Sequence, residues 1–431
     1  MAAGLGTRMH SALPKHFHEL LGRRLVDWVI LAAEGAGADP LIVVCSPDGE
    51  GKFEGITTAV QRSPRGTGDA VSSARSALEG FAGDVLVLNG DVPGLTGELL
   101  ADLVETHRSQ AAAATVLSFE PPDPRSYGRI VRDATGAVAK IVEAGDASPA
   151  ELTLTEVNSG IYVFDAARLW PALERLEAHN AQGEVYITDT IGVLVGDGEY
   201  VVAHLTGDPF EVEGINTREE LAVAAAGLRD RINRRHMLDG VTIVDPASTW
   251  IEPGVTIEPD VTIHPFVVLR GSTRVETLAV IQPNTVAVDA VIGSGALVGP
   301  FCYLRPGTVL EAGSKAGTFV EIKNSTIGRR SKVAHQSYIG DTEIGEDTNI
   351  GAGTITANFA HKPGVPKRRT KIGKNVRTGI QNGFVAPVEV GDGAWTAAGS
   401  TITKDVPADS LAVARTRQEN KEGYAARHRD D

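Results

Sequence analysis

Beyond Asp239 the chain carries aliphatic residues at every sixth position, at Ile251, Ile257, Ile263, Leu269, Val275 and Ile281. The same spacing resumes at Ile292, Val298, Leu304 and Leu310, at Ile344 and Ile350, and through Ile372, Phe384, Val390 and Ile402. Glycine often follows the aliphatic residue, as in Ile292-Gly, Val298-Gly, Ile327-Gly, Ile372-Gly and Val390-Gly. One inward side chain per short unit predicts a β-solenoid, in which flat strands stack and small residues turn the corners. A sandwich whose strands happen to share this spacing is the alternative, and the length of the pattern argues against it. With 48 glycines against 5% aromatics, the composition also suits many tight turns.

Upstream the rhythm differs. Leu41–Cys45, Val85–Leu88 and Gly160–Phe164 read as buried strands. Val26–Ala36, Asp69–Leu78, Gly97–His107 and Asp165–Leu176 read as helices. Strands alternating with helices predict an α/β domain with a largely parallel sheet. From Thr217 to Arg235 the chain reads as a connecting helix, with Thr217 as its N-cap and Glu219 and Glu220 favouring its dipole. The expected organisation is an α/β domain over 1–216, a linker helix over 217–238, a solenoid over 239–411 and a tail over 412–431. A length of 431 residues suits two cores better than one.

Two cysteines, Cys45 and Cys302, argue against a disulfide framework and suit a reducing cytoplasm. The opening residues lack the charged head and apolar run of a signal segment, and no apolar stretch is long enough to cross a bilayer. A net charge of −14 argues against general nucleic-acid binding. Small-molecule partners are therefore expected, with basic residues gathered locally wherever those partners are anions.

The sharpest motif of the first half is Ala2-Ala-Gly-Leu-Gly-Thr-Arg-Met9 with Leu13-Pro-Lys15 after it. Small residues let backbone N–H groups approach a triphosphate, and Arg8 and Lys15 add cations. A glycine-rich chain start is the plain alternative. The whole string resembles the sugar-nucleotidyltransferase signature, and further motifs follow in that family's order: Arg65-Gly-Thr-Gly68, Asn89-Gly-Asp-Val-Pro93, Tyr127-Gly-Arg-Ile130, Ile141-Val-Glu143, Val157-Asn-Ser-Gly160, Gly183-Glu-Val-Tyr-Ile-Thr-Asp189 and Glu211-Val-Glu-Gly-Ile-Asn216. By this resemblance Ala2, Ala3, Gly4, Gly6, Arg8 and Lys15 cradle the phosphates of UTP, while Gln61, Gly66, Thr67 and Gly90 contact the nucleotide. Gly128, Glu143 and Asn158 hold the sugar, Asp91 and Asn216 bind Mg²⁺, and the 183–189 segment is structural. The resemblance also implies a strand ahead of the glycine loop, which Met1 here replaces; its lack is expected to leave neighbouring backbone unpaired and weaken this half. Asn89, Asp69 and Pro64 stand where Tyr, His and Gln are common.

On the solenoid, Tyr303-Leu-Arg-Pro-Gly307, Phe319-Val-Glu-Ile-Lys323, Ala334-His-Gln-Ser-Tyr338 and Asn349-Ile-Gly-Ala-Gly-Thr354 fall on successive turns and can share one face. The period resembles the hexapeptide-repeat acyltransferases, which implies a left-handed parallel β-helix and a homotrimer with sites between subunits. Handedness rests on the resemblance alone, since most parallel crossovers are right-handed. The four motifs resemble the acetyltransferase site of the bifunctional N-acetylglucosamine-1-phosphate uridylyltransferases. That implies Arg305, Lys323, Tyr338 and Asn349 around the acetyl acceptor, and His335 as general base, a role suited to an imidazole. A solvated loop is the ordinary place for a lone histidine. Acetyl-CoA would meet Ala352, Asn358, Phe359, Ala398 and Arg415, with the Ala352 N–H on the oxyanion. A zinc site is excluded, because His335 and His361 lack a third partner. The basic stretch His361–Lys374 is expected to attract the coenzyme's phosphates through Lys367, Arg368 and Arg369. Ile380 replaces a coenzyme-contacting Ser, and Tyr424 stands for a Trp that closes over the site.

The expected protein is thus an α/β nucleotidyltransferase domain, Rossmann-like but lacking its first strand, followed by a left-handed β-helix of hexapeptide repeats. Its implied reactions are acetylation of glucosamine 1-phosphate and uridylylation of the product to UDP-N-acetylglucosamine. An enzyme with only the acetyl half active, and a non-catalytic scaffold binding sugar nucleotides, are the alternatives.

Overall fold

The six-residue period becomes stacked coils. In the computed structural model Trp250–Ile251 pairs in parallel with Val268–Arg270, which pairs with Val286–Val288, and that with Tyr303–Leu304. A second series runs from Thr256–Ile257 through Arg274–Val275 and Val291–Ile292 to Val309–Leu310, also in parallel. In-register stacking places aliphatic residues over one another, as in Ile251 over Leu269 and Leu304 over Ile322. All those named in the period are buried except Ile257, which is half-buried. Each fully buried side chain of this kind stabilises the fold by about 1.5–3 kcal/mol.

A second buried column was not foreseen. Two residues before many of the aliphatic positions sits a buried Thr or Ser, among them Thr273, Thr308, Ser325, Thr342 and Thr348. Their hydroxyls find backbone acceptors: Thr308 donates to Arg305 O at 2.7 Å and Ser325 to Lys323 O at 2.7 Å. Most of these small polar residues therefore fill the corners with their hydroxyls paired, whereas the buried hydroxyls of Thr285, Ser314 and Thr370 have no partner. Several corners use left-handed backbone at non-glycine residues, including Phe301 and Phe319, whose rings stack 5.3 Å apart. Gly351 is required at another corner, because a Cβ there would run into Gly379 O.

The structure describes residues 1–4, 6–124, 126–177, 183–359 and 364–429. They form two units, Met1–Leu228 and Arg229–Asp431, with the division inside the helix Arg218–Leu238. Thr217 caps that helix as expected: its Oγ1 accepts from Glu220 N at 3.1 Å, and Glu220 Oε2 accepts from Thr217 N at 3.0 Å. Among the described residues no helix is long and apolar enough to cross a membrane.

In the first unit the expectation of a largely parallel sheet is corrected. Ala114–Phe119 pairs in parallel with Val201–Leu205, but Val157–Asp165 runs antiparallel to both Ala114–Phe119 and Asp84–Val87. Parallel neighbours need a crossover, usually a helix. Between Ala114–Phe119 and Val157–Asp165 the chain instead forms an antiparallel pair, Arg129–Arg132 with Val138–Val142, so the strand returns in the opposite direction.

Ile42–Cys45 pairs with Thr57–Val60 in a separate parallel pair. Met1 and Ala2 bridge that pair to the larger sheet: Ala2 N donates to Val44 O at 2.6 Å, the Met1 amine to Leu88 O at 2.6 Å, and Gly90 N to Met1 O at 2.8 Å. Alongside them lies a cavity of about 170 Å³ lined by apolar side chains including Val43, Val71, Leu86 and Trp170.

Candidate active sites

The loop after Ala2 and Ala3, both buried, turns through left-handed Gly6, on which a Cβ would meet the Lys15 side chain. Gly6 thereby lets Lys15 pass close to the loop and enter the site. The Lys15 ammonium forms an ion pair with Asp91 and donates to Asn216 Oδ1 at 2.9 Å, where Arg8 also donates at 2.9 Å. Asp91 and Asn216 are held together by a hydrogen bond from Ile215 N to Asp91 O at 2.9 Å. These four residues, far apart in sequence, make one cluster.

A cavity of about 260 Å³ adjoins the cluster and is lined by Gly4, Lys15, Gln61, Gly66, Thr67, Gly90 and Asp91. His16, not singled out from the sequence, also lines it. It is 3% exposed, and burial pushes its imidazole down to about 4, so it is a neutral wall. Its only sequence signal was its place beside Lys15. Gln61 donates to Gly66 O at 3.1 Å and to Asp69 at 2.9 Å, so Asp69 orients Gln61. The segment at 183–189 braces this loop: Gly68 N donates to Val185 O at 2.9 Å, and Ile187 N to Thr67 Oγ1 at 3.0 Å.

Gly128 O accepts from Asn158 N at 2.8 Å, and a Cβ on Gly128 would lie 3.4 Å from Glu143 Oε2. The three sugar-pocket candidates therefore adjoin. Asn158 is fixed by donation to the Tyr162 hydroxyl at 2.7 Å. Glu143 accepts from the Thr188 hydroxyl at 3.1 Å, and burial raises its carboxyl above the usual carboxylate range.

On the solenoid, register decides which candidates meet. Arg305 N donates to Ile322 O at 2.8 Å, which sets Arg305 beside Lys323 on the next coil. Tyr338 lies opposite Glu321, and Arg305 donates to Glu321 at 2.7 Å. A Cβ on Gly340 would strike the hydroxyl of Tyr338 and lie 2.9 Å from Asn358 Nδ2. Thus Arg305, Lys323, Tyr338 and Asn358 gather along one face and the corner that follows it. Lys367 belongs here too. Its proximity, with that of Arg305, holds the Lys323 ammonium below its ordinary value. Lys367, which the sequence assigned with Arg368 and Arg369 to the coenzyme's phosphates, stands beside Lys323 because the loop before Thr370 leaves from this corner.

His335 is exposed and sits at the corner preceding the same face, paired with Thr318. Above it the edge continues through Ala352, Ile380 and Ala398, joined by hydrogen bonds from Gln381 N to Ala352 O at 2.7 Å and Gly399 N to Ile380 O at 2.8 Å. Arg415 packs near Gly399. Asn349 is not with the other acceptor candidates on one chain: it pairs with Lys332 and Arg377, on the neighbouring face. Asn358 and exposed Phe359 are likewise at the other corner from Ala352, Ala398 and Arg415. Tyr424 is exposed and stacks on His428 at 4.4 Å. His361 lies outside the described residues.

The model of a MobA-like NTP transferase domain matches residues 1–189. Over the whole chain the sequence is 47% identical to the bifunctional protein GlmU of Streptomyces avermitilis, covering 94% of that protein. It is 47% identical to that of Paenarthrobacter aurescens and 45% to that of Mycobacterium bovis, again over all of this chain and 91% and 92% of theirs. The chain belongs to the bifunctional GlmU family. It is a bifunctional transferase, with a nucleotidyltransferase half followed by the left-handed β-helix of an acyltransferase. GlmU membership requires two reaction centres, and the two clusters described above are the candidates. For a divalent cation in the first, the fit is good: Asp91 and Asn216 oxygens already converge on one cationic group, the Lys15 ammonium. Among the described residues no group of three or more His, Cys, Asp or Glu could hold a metal. A cation bound at this GlmU cluster would take its remaining ligands from phosphate and water, as Mg²⁺ does.

Proposed function

We propose that residues 239–411 transfer acetyl from acetyl-CoA to the amine of glucosamine 1-phosphate, and that residues 1–216 then transfer uridylyl from UTP to the product. The helix over 217–238 connects them, and 412–431 is a tail. The observation that carries this reading is the gathering of Arg305, Lys323 and Lys367 beside Tyr338 and Asn358, a cationic pocket built for a phosphorylated acceptor.

In acetyl transfer, His335 takes a proton as the amine nitrogen attacks the thioester carbonyl. The Ala352 N–H holds the oxyanion, and the coenzyme leaves as its thiol. Arg305, Lys323, Tyr338 and Asn349 hold the acceptor, Phe359, Ala398 and Arg415 contact the coenzyme, and Asn358 stands where the coenzyme's acetyl end meets the acceptor's amine. Because Asn349 stands on the neighbouring face, a homotrimer, in which a second chain's face meets this one, completes the site.

In uridylyl transfer, a phosphate oxygen of N-acetylglucosamine 1-phosphate attacks the α-phosphorus of UTP and pyrophosphate leaves. Asp91 and Asn216 would hold Mg²⁺, which supplies neutralisation of phosphate charge. Arg8 and Lys15 add to that charge, with the backbone of Ala2 to Gly6 around the phosphates. Gln61, Gly66, Thr67 and Gly90 seat the nucleotide, and Gly128, Glu143 and Asn158 seat the sugar. No protein nucleophile is needed, since positioning and charge suffice. A cytoplasmic enzyme fits this reading, since UTP and acetyl-CoA are its co-substrates.

Separate assays of thiol release and pyrophosphate release test the two halves. In a second reading only the acetyl half turns over. Thiol release without pyrophosphate release selects it. Release of neither leaves a binding scaffold.

A further inference from the structure

Corner acids are common on this solenoid, and most serve the backbone. Asp289 accepts from Ser272 N at 2.9 Å and Asp392 from Lys374 N at 2.7 Å, and both are exposed. Asp341 differs. It is 5% exposed, its Oδ1 accepts from Asn324 Nδ2 at 2.5 Å, and its Oδ2 accepts from Asn358 Nδ2. Its backbone is pinned as well, with Asp341 N donating to Lys323 O at 3.0 Å and Thr370 N to Asp341 O at 3.2 Å.

The chemistry of a carboxylate makes this arrangement directional. A carboxylate only accepts, so each amide beside it has to turn its NH₂ inward. Asn358 can then present only its oxygen on the opposite side. An amide in place of Asp341 could donate as well as accept, and the choice of face at Asn358 would be lost. Asn358 adjoins Tyr338, since its Nδ2 and the Tyr338 hydroxyl both approach the space left by the missing side chain of Gly340. The amide oxygen, turned away from Asp341, suits an N–H donor, and the amine of the acceptor is one.

Resting on the acetyl-transfer reading above, we propose that Asp341 is a positioning residue for that reaction. Its buried carboxylate fixes Asn358 with the amide oxygen toward the attacking amine, and its charge offsets part of the cationic field of Lys323 that holds the acceptor's phosphate. The two roles separate kinetically. Losing the orientation lowers kcat, whereas losing the negative charge leaves phosphate binding as strong or stronger.

The test is Asp341→Asn in the full-length enzyme, with thiol release and pyrophosphate release measured on one preparation. The expected result is a fall in kcat for thiol release of about ten- to a hundredfold, the scale of a misplaced contact. The KM for glucosamine 1-phosphate should stay level or fall, with pyrophosphate release unchanged. Exchanging the pair, Asp341→Asn with Asn358→Asp, keeps one amide donating to one carboxylate and should recover most of kcat. Wild-type kcat in the single variant, accompanied only by a lower Tm, overturns the proposal. So does an exchange variant no better than the single one. If the single variant does not fold, the exchange variant decides, because it has to fold and turn over. Absence of thiol release from the wild-type enzyme removes the acetyl-transfer reading itself, and the proposal with it.

Discussion

The Lys15 ammonium lies 2.9 Å from Asn216 Oδ1 and is ion-paired with Asp91, so one side chain bridges the two oxygen donors proposed for the metal. A lysine so placed competes with a divalent cation and has to swing onto phosphate when that cation binds. Lys15→Met should therefore tighten Mn²⁺ binding in the absence of nucleotide several-fold, measured by calorimetric titration. Pyrophosphate release should drop by about a hundredfold, because a cation aimed at transition-state charge is lost. Weaker Mn²⁺ binding in the variant would show that Lys15 assists the metal rather than competing with it.

His335 stands at the start of the face that ends at Arg305 and Lys323, within one solenoid corner of Tyr338. Replacement by Ala removes the only proposed proton acceptor for the amine. Thiol release should fall by about 10²–10⁴-fold, the range for general bases, while pyrophosphate release stays at wild-type level. An unchanged acetyl rate with a normal pH profile would assign the proton to another group.

Burial raises the Glu143 carboxyl, so its charge is lost at a pH above the ordinary glutamate value of about 4.3. For the fold the sign is favourable on acidification, since the folded state binds this proton more tightly than the unfolded chain does. For sugar binding the sign is opposite. As pH falls through the raised value, the KM for N-acetylglucosamine 1-phosphate should climb, and Glu143→Gln should show a high KM with no acid limb. A pH–KM profile shared by both proteins would place the titration elsewhere.

Gly66 has a φ of 113° and lies so close to Val185 that a Cβ would collide with its carbonyl oxygen. Gly66→Ala strains the backbone by about 1–3 kcal/mol and pushes the loop off its brace. The expected signature is a KM for UTP raised at least tenfold, a lower Tm, and thiol release untouched. A normal KM for UTP would separate this loop from nucleotide binding.

The coil period was legible because a solenoid repeats one local rule: an aliphatic side chain at each sixth position has to be inward in every coil, as Leu269, Ile281 and Leu304 are. The Thr and Ser column was not legible, since a hydroxyl suits surface and corner alike until its acceptor is known. In the first unit the helix start at Thr217 followed from a local pairing with Glu220. The direction of Val157–Asp165 did not, because strand sense depends on what kind of segment brings the chain back.

Motif strings by themselves determined the family, the two kinds of chemistry and nearly all the side chains nominated for them. Tertiary structure alone decided who stands beside whom. Coil register set Asn349 on another face and enclosed Asp341 between two amides, and the loop before Thr370 put Lys367 next to Lys323. The reason is physical. A local pattern reports which side chains are buried or turned, whereas contact between residues on different coils depends on how many residues each coil consumes, and one coil here carries a long insertion between Ile355 and Gly383.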